Sequence, residues 1–110
     1  MTFTQAVFAG GFLSGHYELL GLHADYGRIT GYAAVAQLIT AILLWRPGRG
    51  PGWPVLVCTL LLGAVGSQIY LGFARILSIH VPLGVAVITG SVLLVIWAWK
   101  PMAPSPETPQ

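Results

Sequence analysis

Charge is what this sequence has least of: only 7% of its 110 residues are charged, with five basic against three acidic side chains. Five scattered cations exclude a nucleic-acid surface, which needs Lys and Arg gathered on one face. Two of the acids, Glu18 and Asp25, lie close together around the first expected turn. No acid falls at the middle of any apolar run. That absence counts against a small four-helix transporter, which couples protons through a buried carboxylate kept only for use. Cys58 is the only cysteine, so there is no internal disulfide, no cysteine cluster for zinc or iron–sulfur, and no Cys-x-x-Cys-His for covalent haem attachment. Lying within an apolar run, Cys58 reads as a packing residue.

Apolar residues fill the space that charge leaves. They make up 55% of the chain and raise the mean hydropathy to +0.78, more apolar surface than a soluble fold of this size can bury. Four runs come close to the roughly 20 residues a membrane crossing needs: Phe3 to Leu22, Ile29 to Trp45, Trp53 to Phe73 and Ile79 to Trp99. Inside lipid each segment must satisfy its own backbone, which selects helices for runs of this length. The expectation is an all-α membrane protein, a four-transmembrane-helix bundle over residues 1–100, with a disordered, proline-rich tail over 101–110. The first run lacks the basic flank of a signal peptide and reads as a retained helix. Arg46, Arg49 and Lys100 stand beside Trp45, Trp53 and Trp99 at one end, against Arg28 and Arg75 at the other. The positive-inside tendency then puts both termini in the cytoplasm, as expected for a bacterial plasma membrane.

The two halves of the chain repeat. Gln5 and Gln68 precede His23-Ala-Asp-Tyr-Gly27 and His80-Val-Pro-Leu-Gly84, and each half runs on to an aromatic, basic, proline cluster, Trp45-Arg46-Pro47 and Trp99-Lys100-Pro101. The bundle is therefore expected to consist of two repeated helical hairpins, with His23 and His80 at equal depth at the starts of helices two and four. Two imidazoles facing each other in a four-helix bundle suit haem with two axial histidines. Gly27 and Gly84, one turn beyond each histidine, would leave room for the flat macrocycle, and equally suit close helix packing. Arg28 and Arg75 stand where haem propionates would emerge, and equally suit snorkelling or balancing Glu18 and Asp25. His16, late in the first run, reads as an interfacial residue, a second-shell group or an alternative ligand. Gln5 and Gln68 read as interhelical hydrogen-bonding glue.

The segment Gly63-Ala-Val-Gly-Ser-Gln-Ile-Tyr-Leu-Gly-Phe-Ala-Arg75, followed by Ile79-His80-Val-Pro-Leu-Gly84, resembles the third and fourth helices of one half of the haem A synthase family. The resemblance extends over about residues 3–100. It implies a b-type haem, held noncovalently by His23 and His80 near the extracytoplasmic face. It does not bring the synthase reaction with it, because the chain has no second bundle, no cysteine pair near the first turn, and Glu18 five rather than three residues ahead of His23. Iron with both axial positions filled is also a poor oxygen-activating centre. The expected role is thus an electron carrier or haem-handling protein rather than an enzyme, with membrane lipid around it and a quinol or a redox subunit as partner. A homodimer is compatible with the sequence. The alternatives are a cofactor-free accessory subunit of a membrane complex and the small transporter.

Overall fold

A computed structural model describes residues 1–100; the expected disordered tail, 101–110, lies outside the described residues. The chain forms four helices, α1 (Thr2–Leu13), α2 (Leu19–Trp45), α3 (Trp53–Phe73) and α4 (Leu77–Ala98). Three of them, α2, α3 and α4, are long and apolar enough to cross a membrane. The expected first crossing, residues 3 to 22, is not one helix. It breaks at Ser14-Gly15-His16-Tyr17-Glu18, where Gly15 takes φ +100° and the Ser14 hydroxyl donates to the Gly10 carbonyl at 2.9 Å. A left-handed residue ends a helix, and glycine takes that conformation without a Cβ penalty. The second helix accordingly begins at Leu19 rather than near Ile29, so Leu19–Asp25, divided in the sequence reading between a first helix and a turn, becomes its opening turns. At 12 residues α1 is about 18 Å long, short of a hydrocarbon core of about 30 Å.

The turn between α2 and α3 is built for a tight reversal. A Cβ on Gly48 would stand 2.6 Å from the Leu44 carbonyl oxygen, and one on Gly50 would stand 2.8 Å from the same oxygen. Pro54 then opens α3 in the first turn, where its missing N–H costs nothing. Between α3 and α4 the chain turns through Arg75 at φ 57°. The four helices pack in a ring, each against the next and α4 weakly back onto α1, while among the described residues the backbones of α2 and α4 do not approach and stand diagonally across the bundle.

What is buried is small. Ala34, Val65 and Val87 meet in one cluster, and Ala41, Cys58 and Leu94 in a second, so α3 wedges between α2 and α4 at both levels. Large apolar side chains face outward instead: Leu56, Leu60, Val85 and Leu93 are each 60% exposed or more. This inversion is what lipid requires, since hydrocarbon tails are as apolar as leucine and helices associate through small residues that let backbones close up. At the end carrying Trp45, Trp53 and Trp97, the rings of Trp53 and Trp97 stack edge to face with centres 4.5 Å apart, and Arg46 lies over Trp45. Because Ala41 is 6% exposed between Cys58 and Leu94, Ala41→Leu should destabilise the bundle by about 1–3 kcal/mol through overpacking. Leu43→Ala on the exposed face should change stability little. Unfolding curves in mixed micelles would show the difference, and equal curves would place Ala41 outside the core.

Candidate functional site: a pinned histidine pair

The repeat places the same three groups twice. In the first hairpin the His23 ring reaches the backbone carbonyl of Gln5 on α1, with Nδ1 3.0 Å from the oxygen. In the second the His80 ring reaches the carbonyl of Gln68 on α3, again with Nδ1 at 3.0 Å. A carbonyl oxygen only accepts, so Nδ1 carries the proton and donates in both rings, and the neutral imidazole keeps its lone pair on Nε2. Both rings are partly buried, and their centres lie 6.0 Å apart with planes inclined by 69°. Since α2 and α4 are diagonal, this is the one level at which side chains from opposite corners of the bundle meet as an aromatic pair.

Each ring has local reasons for its position. His23 is the fifth residue of α2 and His80 the fourth of α4, so both project from a first or second turn. Gly72, one turn beyond Gln68 on α3, gives the His80 ring its space: a Cβ there would come 3.2 Å from His80 Cε1. The Gln68 carbonyl lies inside α3 and has two lone pairs, so it can take the ring proton without leaving the helix ladder. The side chains of the same glutamines turn inward as well. Gln5 Nε2 and Gln68 Oε1 are buried with no hydrogen-bond partner. The nearest neighbour of a Cβ on Gly84 would be Gln68 Nε2 at 2.6 Å, and of one on Gly27 Gln5 Nε2 at 4.0 Å. The space beside each glycine is thus bounded by the amide of its own hairpin.

The remaining expected residues stand further out. Arg28 is exposed and pairs with Asp25 one turn earlier. Arg75 is exposed in the α3–α4 turn and makes no ion pair among the described residues. His16 belongs to the turn after α1, not to the helix itself, and lies 3.5 Å from Glu18 with both side chains well exposed. Among the described residues His16 makes no hydrogen bond or ring contact to His23 or His80. Among the described residues no group of three or more His, Cys, Asp or Glu side chains gathers to hold a metal ion.

Sequence reasoning aligned Gln5 with Gln68 but took their amides as glue, and so missed the carbonyls. Any residue carries a carbonyl, so only the repeat itself could have signalled this use.

Two measurements test this geometry. In protein labelled with ¹⁵N at histidine, the resonances of His23 and His80 should report protonated Nδ1 and bare Nε2; a protonated Nε2 on either ring would break the pairing described. Gly84→Ala should gain less stability than Gly27→Ala, because its methyl must move the tip of the flexible Gln68 side chain aside, whereas Gly27→Ala, with open contact, should be neutral or stabilising by up to about 1 kcal/mol. Equal changes for the two would show that the hairpins are packed alike. No protein-family model, curated protein or solved structure matches the chain, so the chemistry of the pair is argued from its own geometry.

Proposed function

We propose that the protein is a small membrane cytochrome that holds a noncovalent haem b between His23 and His80 and serves electron transfer or haem handling. The observation that carries this reading is the pinned pair itself, with two rings on diagonal helices, each with Nδ1 committed to a carbonyl and no hydrogen bond at Nε2 among the described residues. Metal-bound histidines characteristically donate their other ring nitrogen to a carbonyl or carboxylate, which fixes the tautomer and orients the ring. Two imidazoles that share one metal ion through bonds of about 2 Å stand with ring centres about 6 Å apart, and these rings are 6.0 Å apart. Two side chains do not complete a coordination sphere, and no third ligand gathers among the described residues. The favoured guest therefore brings its own equatorial donors, as a porphyrin does.

The residues around the pair suit that guest. The partnerless Gln5 and Gln68 amides mark the centre of the bundle as a place where polar groups await a partner. Gly27 and Gly84 put no side chain of their own on the α2 and α4 walls there, and the Gln68 amide that covers Gly84 would turn aside for the guest. Arg28 and Arg75, near the same end, are the cations that propionates would draw on, Arg28 exchanging its bond to Asp25 for one. Haem would supply a one-electron ferric–ferrous couple when bound; the protein's part would be to hold it through His23 and His80, exclude water and set its depth. Held by two histidines of this chain, it would be expected to carry electrons rather than oxidise a substrate. We further place the histidine end at the extracytoplasmic face of a bacterial plasma membrane, with Lys100 at the cytoplasmic face, on the charge of the Trp45-Arg46 turn, and infer a quinol or a redox subunit as electron partner. α1, too short to cross, leaves the expected cytoplasmic placement of the first residue without support.

The test is spectroscopic. Purified in mild detergent, the protein should carry near-stoichiometric b-type haem by the pyridine haemochrome assay, with low-spin reduced bands that are lost in both His23→Ala and His80→Ala. A wild-type protein that is folded and stays colourless after haem addition would sink the proposal and favour a cofactor-free accessory subunit. Carbon monoxide would then divide the two roles: slow or absent binding to the reduced protein fits an electron carrier, and ready displacement of one histidine fits haem handling.

A further inference from the structure

The end of the bundle opposite the histidines gathers cations that no carboxylate answers. Trp45 lies about 33 Å along α2 from His23, and all four tryptophans, Trp45, Trp53, Trp97 and Trp99, stand at that end with Arg46, Arg49 and Lys100. Indole rings settle at the headgroup level of a membrane. The contact of Trp53 with Trp97 holds the start of α3 against the end of α4 at that level. Glu18 and Asp25 lie at the other end, beside His16 and Arg28. Among the described residues Arg46 and Arg49 make no ion pair. The third acid, Glu107, lies outside the described residues.

An arginine just beyond a helix C-terminus ordinarily serves the last carbonyls. Here the main chain does that instead. The carbonyls of Ile42, Leu43 and Leu44 accept from the backbone N–H groups of Arg46, Gly48 and Gly50 at 2.7, 3.0 and 2.8 Å. Folded back in this way, the turn encloses a cavity of about 430 Å³ lined by Trp45, Arg46, Pro47, Arg49 and Gly50. Arg46 lies over the Trp45 ring, 5.4 Å from guanidinium carbon to ring centre, a contact that consumes none of its N–H donors. Arg49, between two glycines, takes φ 56°. That left-handed conformation suits glycine and is unfavourable for a residue with a Cβ. A cation thus stands where the backbone alone would favour glycine.

We propose that this cavity binds the phosphodiester head of an anionic phospholipid, with Arg46 and Arg49 as its donors. Guanidinium meets phosphate oxygens through paired N–H bonds. Two cations without a carboxylate partner favour a lipid of net negative charge over a zwitterion, whose own cation would lie beside them. The volume falls in the roughly 300–1,000 Å³ range of small-ligand sites, more than a free phosphate fills. Leu43 and Leu44 of α2 and Leu56 of α3, all exposed close to the turn in sequence, offer the acyl chains an apolar track. The site is independent of the histidine pair, and its test needs no haem.

The full chain in detergent would be titrated with phosphatidylglycerol, phosphatidylcholine or inorganic phosphate. Native mass spectrometry would count bound molecules, and circular dichroism would follow folding. The wild type should retain one phosphatidylglycerol in preference to phosphatidylcholine. Arg46→Gln and Arg49→Gly should each weaken that binding about fivefold, and Arg49→Lys should keep part of it. Lys100→Gln, which removes a cation of the same end outside the cavity, should cost far less. Because the backbone at position 49 suits glycine, Arg49→Gly should melt no lower than the wild type in the absence of lipid, which separates loss of binding from loss of fold. A wild type that binds both lipids alike overturns the proposal, as does an Arg49→Gly variant that binds phosphatidylglycerol as tightly, or a Lys100→Gln variant that loses as much. So does inorganic phosphate that displaces the lipid at equal concentration, which would make this a free-phosphate site. Binding seen only after Glu107→Gln also overturns it, and would make the chain's own carboxylate the occupant.

Discussion

Two hydrogen bonds from imidazole to backbone hold the centre of this molecule. Each links the second helix of a hairpin to the first, His23 to Gln5 and His80 to Gln68. Within lipid such bonds face no competition from water, so they fix helix register where leucine-rich surfaces slide over one another freely. They also fix Nδ1 as the donor in both rings without any carboxylate. That matters in a chain with few charges to spare, because a buried acid would have to be paired to be tolerated. The hairpin is the unit that positions each imidazole, and the packing of hairpin on hairpin brings the two rings together.

This division of labour explains how small the core can be. Ala34, Val65 and Val87, then Ala41, Cys58 and Leu94, are enough to hold α2, α3 and α4 at two levels. Neither cluster needs to specify the site, only to keep the diagonal helices at a constant separation. α3 does this by lying between them, and the diagonal separation of α2 and α4 follows.

The sequence made the helices legible where apolar runs ended in strong punctuation. Trp45-Arg46-Pro47 and Gly52-Trp53-Pro54 marked the ends of α2 and α3 where the structure has them. It misled where an apolar run hid a turn: Leu13 and Leu19 flank five residues that hydropathy averages away, and only the left-handed Gly15 reveals the break. The histidine pair was legible because the repeat tied two otherwise ordinary residues together. Its pinning was not, since it uses main-chain oxygens that every residue owns. Nor could composition tell that Arg28 would turn to Asp25, a choice made by one helical turn and an exposed surface.

The repeat is faithful at one end of the bundle and broken at the other, and the difference bears on how such a molecule divides its tasks. At the histidine end both hairpins present the same glutamine, histidine and glycine. Towards the tryptophan end Leu94 of α4 is buried against Cys58 of α3, whereas the matching position on α2 is Gln37. A symmetric pair of rings demands equivalence only over the turns that hold it. Below that level the halves are free to diverge, because the contacts there fix helix spacing and not the rings. The geometry of the pair thus constrains the upper turns of the two hairpins jointly, whereas the lower turns answer to packing alone.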